Sequence, residues 1–343
     1  MKTIQNTLYI TIPDAYISLD GENVVVKQNN KVLNQTPLHL LNDIVVMNYA
    51  GITPALMGKC AEKNILVVFL TPNGRFLSRT IGKSYGNVVL RREQYRVSDD
   101  DSRSLAIAKN IISAKILNNT QVIRRAISDH GERLDIQKFN KVADALKASS
   151  KKAFEVDNFA SLRGIEGECA EYYFSVFGSL ILRDDRRFVF KNRNRRPPRD
   201  AVNAMLSFGY TLMTSICTCA LETAGLDSYV GMLHTDRPGR ASLSLDLLEE
   251  FRAPFVDRFV LTMINKQYLK GDDFIESETG AVVFSDDAKR RFLSEWQKKK
   301  TEIVTHPYLK EKMQWGMIPF MQAKLLARYI RGDIDDYPPF VWR

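Results

Sequence analysis

Cysteine is scarce in this chain: among 343 residues only Cys60, Cys169, Cys217 and Cys219 occur. Their scatter gives no disulfide framework and lacks the paired CxxC spacing of a structural zinc site. The nearest approach to a metal motif, Cys217-Thr-Cys219, lies in the apolar, helix-like run MTSICTCALETA, where small buried thiols are the ordinary reading. No stretch reaches the roughly 20 uninterrupted apolar residues of a membrane span. The opening MKTIQNTLYITIPDAY also lacks the charged-then-apolar pattern of a secretory signal, so a soluble, cytoplasmic protein is expected. Internal repeats and low-complexity tracts are not visible either.

What is present is length, apolar content and positive charge. At 343 residues the chain exceeds what one core usually serves, so two domains are expected, and 45% apolar residues suffice to fill both. Lysine and arginine number 49 against 40 acids, a surplus of nine that favours a polyanionic partner.

From Leu8 to about Val97 short β-branched runs (LYITI, AYISL, VVV, IVVMN, ILVVFL) alternate with turn chemistry at Asp20-Gly21-Glu22-Asn23, Gln28-Asn29-Asn30 and Asn73-Gly74. This reads as strands and hairpins, with TPALMGKCAEKN forming one short crossover helix. The acidic run Ser98-Asp99-Asp100-Asp101-Ser102 can cap a helix, and beyond it the period changes. SLAIAKNIISAKILNNTQVIRRAIS and LDIQKFNKVADALKASSKKAF keep apolar residues three and four apart, and the chain stays largely helical to about residue 332. The expected fold is α+β, a small β-rich domain over residues 1–95 followed by an all-helical catalytic domain over 96–343, with the boundary near 86–102.

Three segments carry candidate chemistry. In LRGIEGECAEYYF, Gly164 and Gly167 flank Ile165-Glu166, and each glycine costs about 1 kcal/mol in a helix interior. Close helix packing, or the approach of a backbone or ligand beside Glu166, would each account for them. The turn-rich GMLHTDRPGR brings His234 ahead of SLSLDLLEEFR, where Asp246 lies one turn from Glu249 or Glu250 while Leu245, Leu248 and Phe251 can bury the other face. Such carboxylates repel unless a cation sits between them. One imidazole with two or three carboxylates and no thiolate suits Mn²⁺ or Mg²⁺. The third segment, Arg183 to Arg199, holds eight basic and two acidic residues, a surplus of six that is most of the chain's total. Its arginines can fork onto phosphates, and Phe188 and Phe190 either pack the segment down or stack on bases.

At these residues the chain resembles the CRISPR-associated protein one family, the endonuclease and integrase subunit of spacer acquisition. The resemblance rests on RGIEGECAEYYF (163–174), RRPPRDAVNAMLSFGYTLM (195–213) and GMLHTDRPGRASLSLDLLEEFRAPFVDR (231–258), and it covers most of the chain. It implies metal ligands at Glu166, His234 and Glu249, with Asp246 sharing or supporting the site. Glu249 stands where some relatives carry aspartate. Glu250 matches no family role and is expected to be solvated or salt-bridged. The tail Tyr337-Pro338-Pro339-Phe340-Val341-Trp342-Arg343 resembles a branch that accompanies subtype I-C systems.

The resemblance further implies capture of short DNA fragments and their insertion into a repeat array, by attack of a fragment's 3′-hydroxyl on a repeat phosphodiester. Double-stranded and forked DNA are the implied nucleic-acid partners. A homodimer formed through the β-rich domain, bridged by CRISPR-associated protein two, is the implied assembly. Arg163, Arg193, Arg195, Arg196 and Arg199 are expected to bind DNA. Tyr172 and Tyr173 are expected to pack their helix, with a role near the DNA end as the alternative. A metal-dependent nuclease acting alone on branched DNA in repair would use the same ligands with water as nucleophile. A non-catalytic nucleic-acid scaffold would need no metal.

Overall fold

The computed structural model describes residues 6–47, 51–63, 65–71, 76–80 and 88–342. The β-branched runs form strands β1 (Asn6–Ile10), β2 (Tyr16–Asp20), β3 (Asn23–Gln28), β4 (Lys31–Pro37), β5 (Leu41–Val46), β6 (Gly51–Ile52), β7 (Leu66–Leu70) and β8 (Phe76–Arg79), with helix α1 (Pro54–Glu62) before β7. Two four-stranded sheets result, ordered β1-β5-β7-β8 and β4-β3-β2-β6. The tight turns follow residue chemistry. Gly21 takes φ 56° between β2 and β3, and Asn29 and Asn30 take φ 49° and 62° between β3 and β4, a conformation asparagine tolerates better than most residues. The expected Asn73-Gly74 turn lies outside the described residues.

The sheet containing β5 and β7 is covered on both faces, which is why those strands read as nearly unbroken apolar runs. Ile44, Val46 and Val67 join Ile17, Val24 and Leu56 in a core between the two sheets and α1. Their neighbours Val45, Val68 and Leu70 point the other way, into the core of the helices.

The helices are α2 (Val88–Asp99), α3 (Asp101–His130), α4 (Ile136–Glu155), α5 (Phe159–Phe177), α6 (Ala201–Thr223), α7 (Ser242–Glu249), α8 (Arg258–Asn265), α9 (Asp286–Thr301) and α10 (Ile318–Ile330). Asp100 caps α3, its carboxylate accepting from the amides of Ser102 and Arg103. Two short antiparallel ribbons, β9 (Phe274–Glu276) with β10 (Val282–Phe284) and β11 (Ile303–Thr305) with β12 (Lys312–Gln314), interrupt the helical part. The division expected between residues 95 and 96 falls inside α2, whose Leu90 and Val97 belong to the helical core. By length and composition alone α6 is long and apolar enough to cross a membrane, although polar residues interrupt its apolar run. Most of it is buried within the protein, as the central helix of the core.

Candidate active site

The site is assembled from the loop between α6 and α7 and from three helices. Gly231 opens the loop's tight section. A Cβ there would lie 2.5 Å from the His234 carbonyl oxygen and 2.7 Å from Ser242 Cβ, so only glycine fits. The loop is fastened from α2, where the buried Gln94 donates to the carbonyls of Asp227 and Val230 and accepts from the amide of Asp227. Asp246 on α7, fully buried, holds the loop's turn. Its Oδ2 accepts the amides of Met232 (2.6 Å) and Leu233 (3.0 Å), and its Oδ1 accepts the amide of His234 (3.0 Å).

Oδ1 also lies 2.6 Å from Nδ1 of His234. In this contact Nδ1–H donates to the carboxylate, and in the neutral ring the lone pair is then on Nε2. Asp246 thus orients the imidazole, in the manner of the carboxylates that support metal-bound histidines.

Glu249, one turn further along α7, meets Glu166 of α5 across a lysine. Nζ of Lys115, from the middle of α3, is 2.6 Å from Glu166 Oε1 and 2.8 Å from Glu249 Oε2. Arg252 Nε also donates to Glu249 Oε2 at 2.8 Å, and its guanidinium lies 4.5 Å from the Tyr210 ring centroid. Burial alone would raise the Glu249 pKa. Arg252, Lys115 and His234 outweigh it and hold the carboxyl down at about 2. Behind this cluster, Tyr210 and Tyr173 donate to Asp257, which burial pushes up to about 6.

Among the described residues no three His, Cys, Asp or Glu side chains stand in ligating geometry, and an ammonium lies between the two glutamates. The donor set nonetheless fits a hard divalent ion. Among those residues the second oxygens of Glu166 and Glu249 and Nε2 of His234 accept no hydrogen bond. The thiols offer no rival site, for all four are buried, and burial pushes Cys60 and Cys169 up to about 11.

Neither glycine of the Glu166 segment serves close packing, since a Cβ on Gly164 or Gly167 would meet nothing within 4 Å. They leave open room beside Glu166. Arg163, a turn earlier, reaches the His234 loop by a 3.4 Å hydrogen bond to Thr235 Oγ1. Arg195, Arg196 and Arg199 are exposed, and the first two line a cleft of about 760 Å³ that runs past Arg240 and Leu245. Arg193 differs from them: it is tied to Asn203 Oδ1 (2.6 Å), Ser207 Oγ (3.0 Å) and the Asn194 carbonyl, and it pins the basic segment onto α6. Phe188 and Phe190 are buried against Phe274 and against Phe174 and Phe177, so they pack the segment down. Tyr173 is buried, whereas Tyr172 stays at the surface on Glu168.

Glu250 is not solvated or salt-bridged. It is fully buried, accepting from Gln322 Nε2 (2.8 Å), the amide of Phe340 (2.7 Å) and the Tyr337 hydroxyl, which binds the C-terminal tail beneath α7. Burial pushes its carboxyl up to about 7. Lys115 and Arg252 were not singled out from the sequence. The available signal for Lys115 was a charge set into the apolar face of α3, beside Ile111 and Ile112 a turn earlier.

Residues 8–298 match the family profile described as CRISPR associated protein Cas1. The chain belongs to the Cas1 family. Over its whole length it is 46% identical to the CRISPR-associated endonuclease Cas1 1 of Chlorobaculum tepidum, covering all of both chains. It is 42% identical to Cas1 2 of Rhodospirillum rubrum, again with full coverage of both. With such relatives this Cas1 protein is an enzyme of a nuclease family. Among solved structures, a Cas1 protein from Thermotoga maritima superposes with TM-score 0.82 at 23% identity, covering 97% of this chain and 99% of that one. A casposase bound to integration product reaches TM-score 0.84 at 23% identity, covering 99% and 95%. A Cas6-RT-Cas1–Cas2 complex matches with TM-score 0.81 at 23% identity over 99% of this chain and 36% of that chain. These likenesses establish the Cas1 fold for the β-rich and helical parts together.

Proposed function

We propose that this Cas1 protein is a divalent-metal-dependent DNA endonuclease and integrase that inserts short fragments into a CRISPR repeat array. The observation that carries the reading is the convergence of Glu166 and Glu249, from separate helices, on one cation beside an imidazole oriented by a buried aspartate. Glu166, Glu249 and Nε2 of His234 would hold Mn²⁺ or Mg²⁺. Such an ion, when bound, supplies Lewis-acid polarisation of a phosphodiester and lowers the pKa of an attacking hydroxyl.

In the joining step the fragment's 3′-hydroxyl gives up its proton as its oxygen forms a bond to a repeat phosphorus. The repeat's own P–O bond breaks, and the leaving 3′-oxygen takes a proton, so one phosphodiester replaces another and no nucleotide is hydrolysed. The chain's residues supply alignment and charge. Gly164 and Gly167 leave space for a strand beside Glu166. Arg163 sits between α5 and the His234 loop, and Arg195, Arg196 and Arg199 present cations along the neighbouring surface. Double-stranded and forked DNA are the substrates on this reading, in the cytoplasm.

A casposase on its integration product and a Cas1–Cas2 assembly among the structural neighbours support strand joining and a Cas2 partner. The edge strand β4 exposes Val32 and Leu33, a surface suited to pairing with a second copy.

The test is strand joining into a repeat-bearing plasmid with the companion Cas2 and Mn²⁺. Glu166→Gln and His234→Ala should abolish cleavage and joining while DNA binding persists, and chelation should do the same reversibly. Joining at the wild-type rate by either variant would refute the site. Cleavage of branched DNA with no joining would favour the stand-alone repair nuclease.

A further inference from the structure

The two cations on Glu249 are not equivalent. Arg252 is fixed, with Nε on the carboxylate and its guanidinium against the Tyr210 ring. Lys115 has no such anchorage: among the described residues the ammonium's only partners are Glu166 and Glu249. It also takes one oxygen from each of the two carboxylates that would ligate a metal. An ammonium about 3 Å from both is a single positive charge in the position of a bridging cation. A divalent ion using those oxygens must compete with it, both for lone pairs and by like-charge repulsion.

We infer that Lys115 is an exchangeable counter-ion of the metal site: it holds Glu166 and Glu249 together before metal enters, is displaced from them by the ion, and then contributes its charge to the DNA phosphate. This rests on the proposed metal-dependent reading of the same site. With no cation between them the buried Glu249 and the half-buried Glu166 would repel, so Lys115 helps the metal-free site stay assembled. Once displaced, the ammonium stays tethered to α3 within one side-chain length of the glutamates. Arg252 stays on Glu249 throughout.

A residue that merely supports the site would, on removal, weaken metal binding. A competitor would, on removal, strengthen it, and this opposite sign makes the inference testable. Mn²⁺ binding is measured by the electron paramagnetic resonance of free Mn²⁺ at pH 8, without DNA, on the full chain and on Lys115→Met, Lys115→Arg and Glu166→Gln. Lys115→Met should bind Mn²⁺ at least about tenfold more tightly than wild type, Lys115→Arg no more tightly than wild type, and Glu166→Gln more weakly. In chelator Lys115→Met should melt below wild type, with Mn²⁺ reversing the deficit, and at saturating Mn²⁺ its joining rate should fall at least about tenfold. Should Lys115→Met fail to fold, Lys115→Gln serves the same comparison.

Unchanged or weaker Mn²⁺ binding by the uncharged variant, with Glu166→Gln impaired, overturns the exchange. Tighter binding with joining at the wild-type rate overturns the phosphate role. If wild type binds no Mn²⁺, or Glu166→Gln binds as wild type does, the metal reading itself fails.

Discussion

Asp246→Asn removes the charge and one acceptor oxygen from a position that uses both oxygens twice. Oδ2 serves the amides of Met232 and Leu233, and Oδ1 serves the amide and Nδ1–H of His234. An asparagine keeps one oxygen, so two of the four donors are left facing an NH₂ group in a fully buried pocket. Hydrogen bonds to a charged acceptor contribute about 1.5–3 kcal/mol each, so the loss is on the order of 3–6 kcal/mol. That is a large part of a typical folding free energy, and at about 1.4 °C per kcal/mol for a chain of this size the melting temperature should fall by roughly 4–8 °C. Function should suffer separately, because the imidazole loses the acceptor that sets its tautomer and angle. A fall in metal affinity or cleavage rate of about 10–100-fold is expected from changes at such supporting carboxylates. Calorimetric melting gives the first number. Mn²⁺-dependent cleavage, measured well below the variant's melting temperature, gives the second. An unchanged melting temperature would mean that Asp246 does not hold the loop, and unchanged cleavage would remove His234 from the site.

The arginines of the basic segment should separate by role. Arg195→Ala with Arg196→Ala should lower the salt slope of DNA affinity by up to about 2 without changing the melting temperature, and an unaltered slope would reject their phosphate contacts. Arg193→Ala should leave the slope nearly alone but destabilise the fold by about 1–3 kcal/mol, since it removes the hydrogen bonds to Asn203 Oδ1 and Ser207 Oγ that pin the segment to α6; a thermal melt checks this. Glu250 predicts a pH dependence. Its folded carboxyl keeps a proton to about pH 7, whereas the ordinary value is 4.5, so the folded state binds more protons between these limits. Stability should therefore fall as pH rises from about 4.5 to 7, and Glu250→Gln should flatten that slope in denaturant titrations. Glu249 works in the opposite sense: held at about 2, it stabilises the fold above its ordinary range, and that contribution is lost as pH falls from 4.5 towards 2.

Features governed by a few adjacent residues were legible along the chain. The β-branched runs of β5 and β7, the turn at Asn29-Asn30, the cap at Asp100 and the change to helical period after it need only neighbouring side chains to decide them. The family motifs pointed to Glu166, His234 and Glu249, because chemistry restricts which residue types serve. Solvation was not legible. Glu249 and Glu250 adjoin in the sequence, yet one meets Arg252 and Lys115 while the other turns into the tail at Tyr337 and Phe340, so their carboxyls part to about 2 and about 7. Arg193 looked like its neighbours until α6 took it in, and Lys115 looked like one more lysine of a long helix. A side chain's charge state depends on what packs within a few ångströms of it, and in this Cas1 protein the partners of Lys115 and Glu250 come from segments more than fifty residues away.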